Sequence, residues 1–435
     1  MRSVASLECD NNLVDESVSD SSGSSVEEVQ GLYGPFQFPE LLLQRIWAER
    51  SFRAKDARTE SRETVKIIRP GRWNRQEGPD FKQAEIQIDG RPVHGEVEMH
   101  LREPDWQAHA HAVDRNYDNV VLHVVLFPPK RPTTAGANGP IPILVLLPLL
   151  WHDLEEYAAD AAVSAIADRP AERLAQAWLE LSAQECRVKI VAEAKQRWLS
   201  KVHYAQIRIT RLGWTDACHH TALEILGYRF NRAPMLTVAS RWPLEEWGIG
   251  DVAPDEVFDE MIDVWKLGAV RPANHPRRRL QAYARWTKQV PDWPDQLVEQ
   301  AKVGLDAPAD ASPTSDVADL RRNLGLKRQW ARIMTAVGVG GNVTQPRADN
   351  LWGDGFLPLL VASGQLTDEI GYLWWFMSWP GDQAANLTAA ARLIGVADGK
   401  RNPLAWGHVQ GLIGQQLRSP ETGAEGDLTS DFTSE

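Results

Sequence analysis

From Val93 to Leu101 the chain alternates. Val93, Val97, Met99 and Leu101 are apolar at odd positions, while His94, Glu96, Glu98 and His100 are polar at even ones. Successive side chains of a strand point to opposite faces, so this stretch is expected to be a strand with one buried face and one face that gathers four titratable groups. Asp89-Gly90 stands just before it, and Phe81 to Ile88 before that reads as another strand. An Asp-Gly pair between two such runs is a strong hairpin signal. A hairpin turning there carries Asp80, just ahead of the first strand, towards the far end of the second, close to Glu98 and His100.

The neighbouring elements follow from the same kind of pattern. Pro39-Glu40 opens a helix at about 39–50, with Leu42, Leu43, Ile46 and Trp47 on one face. Thr64 to Ile68 is a short β-type run, Pro104 starts a short helical segment to about Asn116, and Val120 to Phe127 and Ile141 to Leu147 read as buried strands. From about Leu154 the periodicity turns helical, and 304–317 reads as a long loop within that part. The expected fold is an α/β N-terminal domain with a mixed sheet over 33–155, followed by a mainly α-helical domain over 156–416. Residues 1–32 and 417–435 are rich in Ser, Asp and Glu and are expected to be disordered acidic tails.

The charge is concentrated in those tails. Of the net −12, residues 1–32 hold −6 and residues 417–435 hold −4, which leaves a body of −2. Such a body does not repel a polyanion as a uniformly acidic one would. Cys9, Cys186 and Cys218 are far apart with no CxxC spacing, which excludes a disulfide framework or zinc ribbon and fits a reducing compartment. The longest apolar run, Ile141 to Trp151, is about half the roughly 20 residues that span a bilayer and contains two prolines. Residues 1–32 have no apolar signal core. These features point to a cytoplasmic protein without a membrane partner.

Two carboxylates two residues apart on one strand repel each other unless a cation or a proton offsets the charge. Asp80 with Glu96 and Glu98 on adjacent strands makes an oxygen-ligand site for Mg²⁺ or Mn²⁺. Such an ion supplies what phosphodiester cleavage requires, with Glu98 or His100 helping to activate the attacking water. Five of the eleven histidines, His94, His100, His109, His111 and His123, fall within 94–123, where a uniform spread would put fewer than one. His109 and His111 raise a different possibility, a zinc-hydrolase His-x-His pair. On a strand they share a face; on a helix they diverge by about 200° and only one can bind. Pro104 favours the helix. His123, inside an apolar run, reads as a hydrogen-bonded core residue.

In the helical part, Arg277, Arg278 and Arg279 open a helix that continues through Arg285, Trp286 and Lys288. These arginines are candidates for phosphate contacts, with Trp286 able to stack on a base; the competing reading is a solvated helix face. Gly338-Val339-Gly340-Gly341 lacks the Gly-Lys-Ser/Thr of a phosphate-binding loop.

Gly78-Pro79-Asp80 resembles the Pro-Asp motif of the PD-(D/E)XK nuclease superfamily, and Glu96-Val97-Glu98 resembles its (D/E)-X-K motif with Glu98 at the Lys position. A shifted frame, Glu98-Met99-His100, puts His there instead. That resemblance covers roughly 39–147 and implies a leading helix at 39–50 whose Glu40 or Glu49 supplies an auxiliary acid. A closer resemblance covers almost the whole body. GPDFKQAEIQIDG, GEVEMH, the stretch through His109 and His111 to NVVLHVV, Glu224 to Met235, Arg271 to Pro276 and Gln410 to Ile413 are similar to the motifs of domain-of-unknown-function family 2851. That kinship implies no established activity. The leading expectation is a metal-dependent nuclease that hydrolyses phosphodiester bonds of DNA or RNA. Asp80, Glu96 and Glu98 would hold the metal, with His100 beside them and Arg277, Arg278, Arg279 and Arg285 on the nucleic acid. The alternatives are a non-catalytic nucleic-acid-binding or scaffold protein with a nuclease-like fold, and a zinc-dependent hydrolase using His109 and His111.

Overall fold

The computed structural model describes residues 26–31, 34–167, 169–268, 270–382 and 385–417. Strands β1 (Val26–Gly31) and β2 (Gly34–Pro39) form an antiparallel pair. The acidic stretch 1–32, expected to be disordered throughout, therefore contains a strand at its end. Its alternation of Val26 and Val29 with Glu and Gln is weak as a strand signal, and pairing with β2 supplies what the local pattern lacks. Residues 1–25 and 418–435, which hold most of both expected tails, lie outside the described residues.

Pro39 precedes helix α1 (Glu40–Glu49), whose Leu42, Leu43, Ile46 and Trp47 are buried. A mixed sheet follows. It comprises β3 (Val65–Arg69), β4 (Arg72–Trp73), β5 (Phe81–Ile88), β6 (Arg91–His100), β7 (Val120–Val125), β8 (Thr133–Gly136) and β9 (Gly139–Val145). The order is β3-β5-β6-β7-β9-β8, with β4 also on β5. The β5–β6 hairpin turns at Asp89 and Gly90, whose φ of 47° and 76° are the positive pair that a two-residue turn of this hand requires. β6, β7 and β9 run parallel at the centre, and the other pairings are antiparallel. Gly95 lies where β6 passes β7: a Cβ there would meet Val121 Cγ1 at 2.4 Å and the Asn119 carbonyl at 2.6 Å, so only glycine fits.

The alternation divides the sheet as the pattern demands. Val97, Met99 and Leu101 of the β6 stretch, with Leu122, Val124 and Leu126 of the β7 stretch, join α1 in one hydrophobic core. Glu98, His100 and His123 point the other way, beside a smaller cluster of Trp106, Val120 and Ile141.

From helix α3 (Leu154–Ala167) onward the described chain is helical and builds a second, larger core. Trp178, Trp198, Trp247, Trp286, Trp293, Trp352, Trp374, Trp375 and Trp406 are all fully buried there, so these tryptophans are core anchors rather than cleft walls. The stretch 305–316 has no helix or strand, as expected of that loop. The connection that leaves the sheet meets the helical body at a buried charge cluster. Glu224 accepts from Arg208 Nη2 at 2.9 Å and Arg232 Nη2 at 2.7 Å, and stands 2.9 Å from His152 Nε2, the residue just ahead of α3.

Candidate metal centre

The mouth of the β5–β6 hairpin brings Asp80 and Glu98 together, as their spacing predicts. The Asp80 backbone N–H donates to Glu98 Oε2 at 3.0 Å. The Asp80 side chain accepts from the Met99 N–H at 3.0 Å and from Gln44 Nε2 of α1 at 2.6 Å. Burial, and then the neighbouring Glu98, push the Asp80 carboxyl well above the usual carboxylate range. Burial is also the main cause that raises Glu98 to about 8, with Glu40 and Glu96 adding like charge. Of the two acids of α1, Glu40 adds like charge at Glu98, whereas Glu49 pairs with Arg45 at 2.9 Å.

Glu96 is placed differently from expectation. It lines a cleft with Arg69, Gln83, Glu85, His94 and Asn119 and is only partly buried. The shared face is real, but a strand rises about 3.3 Å per residue. The row from His94 to His100 is therefore long: Glu98 and His100 are buried at its inner end, whereas Glu96 is partly buried with one carboxylate oxygen enclosed. Among the described residues, Asp80, Glu96 and Glu98 do not form a three-ligand cluster; His100, His109 and His111 do, with ligand atoms all within 4.8 Å of one another.

The backbone at Ala110 explains how both histidines reach that point. Helix α2 (Asp105–Ala108) ends before His109, and Ala110 adopts a left-handed conformation, φ 56°. The kink swings His111 back, so the divergence expected of a continuous helix does not occur. His109 and His111 end with ring centroids 5.3 Å apart. His111 stacks on Tyr117 at 3.8 Å, and Trp106 meets it edge-on.

The hydrogen bonds leave lone pairs converging. His100 Nε2 lies 3.2 Å from His109 Nδ1 and 3.6 Å from Glu98 Oε1. His111 Nε2 is buried, makes no hydrogen bond among the described residues, and stands 3.3 Å from the same Glu98 oxygen. On the far side, His100 Nδ1 meets His123 Nε2 at 2.9 Å, and His123 Nδ1 meets Thr134 Oγ1 at 2.7 Å. With His123 donating to Thr134 and His100 donating to His123, His100 Nε2 carries its lone pair into the cluster. Burial, followed by the neighbouring rings, holds His100 well below the usual histidine range. Burial likewise lowers His111 to about 4 and His123 to about 3. The imidazoles are neutral at neutral pH, the state in which they ligate a metal.

His123, Thr134 and Gln44 were not singled out as partners in the sequence. His123 was read as a hydrogen-bonded core residue, which it is, but its partner is a cluster member. The signal available was the density of histidines between 94 and 123.

The arginine helix (Pro276–Gln289) forms as expected, but half of its expected contacts are spent inside the protein. Arg277 pairs with Asp255 at 3.2 Å and Asp259 at 2.6 Å; Arg279 is buried. Trp286 is fully buried with its indole N–H on the Val337 carbonyl, so it is not available to stack on a base. Helical periodicity turns every third or fourth residue to the core, and Arg279, Tyr283 and Trp286 occupy that side. Arg278 and Arg285 are exposed.

No helix among the described residues is long and apolar enough to cross a membrane. Neither curated proteins nor solved structures give a match to the chain. The later motifs, Arg271 to Pro276 and Gln410 to Ile413, fall outside the stretch that a family model covers. Over residues 40–249, the sheet with its histidine cluster and the first helices beyond it, the chain matches the model of the family described as a protein of unknown function, DUF2851, in keeping with the kinship its motifs suggest.

Proposed function

We propose that this protein is a metal-dependent hydrolase whose centre is His100, His109 and His111 with Glu98 beside them. One observation carries the reading. Three imidazoles converge within 4.8 Å, and the unbonded His111 Nε2 faces a carboxylate oxygen at 3.3 Å, an arrangement of lone pairs that a divalent cation satisfies. Three imidazole nitrogens fit a borderline ion of the zinc class better than Mg²⁺, which prefers six oxygens, and Glu98 stands beside that ligand set. Three ligands with a side open to solvent suit a catalytic site, and His109 is exposed. A bound ion there polarises a carbonyl or phosphoryl oxygen and lowers the pKa of water. The chain's own residues do the rest. Thr134 and His123 fix the His100 tautomer, Asp80 and Gln44 hold the β5–β6 mouth, and Glu98, whose carboxyl a bound cation would return to its ionised form, is placed to take up a proton from water.

A second reading keeps the nuclease expectation: Asp80 and Glu98 at the hairpin mouth hold Mg²⁺ or Mn²⁺ for phosphodiester cleavage of DNA or RNA. The contact between Asp80 and Glu98 favours it. Against it, both Asp80 oxygens already accept hydrogen bonds, and the second Glu98 oxygen turns to the imidazoles. Metal titration of the metal-free protein, followed by assays on phosphodiester, phosphomonoester and carboxylic ester substrates, separates the two. Tight zinc-class binding lost in His109→Ala supports the first. Activity with Mg²⁺ alone that survives His109→Ala supports the second and overturns the first.

A further inference from the structure

Two residues before Glu98 on β6, Glu96 lines a cleft of about 540 Å³, within the range that receives small molecules. The sheet is interrupted on both sides of it. Towards β5, Phe81 pairs with Val97 and Ala84 with Gly95, so Lys82 and Gln83 together stand opposite Glu96. Towards β7, Glu96 pairs with Val120 and Val97 with Leu122, which leaves Val121 as an extra residue. Gln83 takes a positive φ of 59° within the first of these bulges. Bulges interrupt the ladder, re-aim side chains and are over-represented next to active sites. Glu96 is flanked by two of them.

One carboxylate of the cleft lacks a partner. Arg69 Nε donates to Glu85 Oε2 at 2.8 Å and its Nη2 donates to the other oxygen, so these two groups satisfy each other. His94 Nδ1 stands beside that pair, 3.7 Å from Glu85 Oε1. Glu96 Oε2, by contrast, is buried and accepts no hydrogen bond among the described residues. Lys82 acts on Glu96 electrostatically but does not line the cleft. Its Nζ lies towards Gly78, 3.7 Å from where a Cβ would stand on that glycine. A buried carboxylate oxygen needs a donor, and a cationic donor bonds it about twice as strongly as a neutral one.

The cleft is tied to the metal centre by two chain segments. Glu96, Glu98 and His100 alternate on one face of β6, and two residues of a strand span about 7 Å. Asn119, which also lines the cleft, follows two residues after Tyr117, whose ring stacks on His111 at 3.8 Å. We infer that the Glu96 cleft is the specificity subsite of the proposed hydrolase and receives a primary ammonium group of the substrate, about 7 Å along the strand from Glu98. The inference rests on the metal-centre reading, which supplies the reacting end. An ammonium directs one N–H at Glu96 and has two more for the amide oxygens of Gln83 and Asn119, both exposed on the cleft. The substrate class is an aliphatic amine whose scissile group lies several carbons from the nitrogen.

The test is calorimetric titration of the zinc-loaded full chain with ε-aminocaproyl hydroxamate and with caproyl hydroxamate, which share a metal-binding group and a chain and differ in the terminal ammonium. In wild type the ammonium compound is expected to bind about tenfold tighter, the factor that about 1.4 kcal/mol represents. Glu96→Gln is expected to bring the two compounds within about twofold of each other, with zinc affinity unchanged in a chelator competition. Chain length gives a check that needs no variant: glycine hydroxamate, whose ammonium is too near the metal to reach Glu96, should bind no tighter than acetohydroxamate. An ammonium preference that survives Glu96→Gln, or that is equal at both chain lengths, overturns the subsite. Zinc binding without an ammonium preference in wild type overturns the subsite and leaves the metal centre standing, whereas a wild type that binds no zinc overturns both.

Discussion

His109→Ala is the cleanest test of the metal centre, because His109 is the exposed member of the cluster and its loss opens no cavity in the core. Its Nδ1 lies 3.2 Å from His100 Nε2 and contacts no other polar group described here. Stability without metal should therefore change by less than about 0.5 kcal/mol, as for surface substitutions generally. With zinc the outcome differs. At a free concentration about 100 times Kd, a ligand stabilises by about 2.7 kcal/mol. Unfolding entropy of about 2.1 cal/mol/K per residue makes that a rise of roughly 3 °C for a chain of this size. If losing one of three imidazoles weakens binding about 100-fold, the same zinc concentration stabilises the variant by only about 0.4 kcal/mol, under roughly 1 °C. The assay is thermal unfolding of chelator-treated wild type and variant with matched zinc and with matched magnesium, backed by competition against a chelator of known affinity. Equal zinc shifts in the two proteins, or a wild-type shift as large with magnesium as with zinc, would refute the argument.

Other outcomes follow from the same geometry. His123→Ala should lower zinc affinity by about 10- to 100-fold without removing a ligand; unchanged affinity in a chelator competition would disconnect Thr134 and His123 from the site. Glu96→Ala should leave zinc affinity within about twofold, whereas Glu98→Gln should abolish hydrolysis; the reverse ranking would favour the nuclease reading. His219, whose Nδ1 meets the Tyr283 hydroxyl at 2.6 Å and whose Nε2 meets the Trp242 carbonyl at 3.0 Å, is held neutral by burial, which lowers it to about 3. A base whose folded pKa is depressed contributes its full stability above its unfolded value of 6.5 and loses it as pH falls below that. The loss is on the order of 2 kcal/mol by about pH 5. Denaturant titrations of wild type and His219→Gln across that range should show their difference shrinking, and a constant difference would contradict the buried neutral state. Glu224→Gln leaves Arg208, Arg232 and His152 around a neutral group and should cost about 3–5 kcal/mol; a loss under about 1 kcal/mol in chemical unfolding would show that this cluster at the entry to the helical body is dispensable.

Much of the sheet-bearing half was legible from local pattern. The period of two placed Val97, Met99 and Leu101 on one side and Glu98 and His100 on the other, and Asp89-Gly90 placed the turn that delivers Asp80 to Glu98. These are properties of neighbouring residues, set by backbone geometry, so a sequence carries them openly. The amphipathic pattern of 276–289 likewise announced a helix, but not which of its arginines the core would claim.

What tertiary structure decided was the site itself. A single left-handed residue, Ala110, turned two histidines that should have diverged into a converging pair, and alanine carries no mark of that conformation because its surroundings impose it. Glu96 stands apart from the histidine cluster because enclosure depends on what covers the strand, not on the strand's own alternation. His100 met His123 across parallel strands. The sequence alone determined which side chains were present and which shared a strand face. Long-range packing determined which lone pairs and which buried charges came to face one another, because that depends on the crossing of distant elements rather than on any local period.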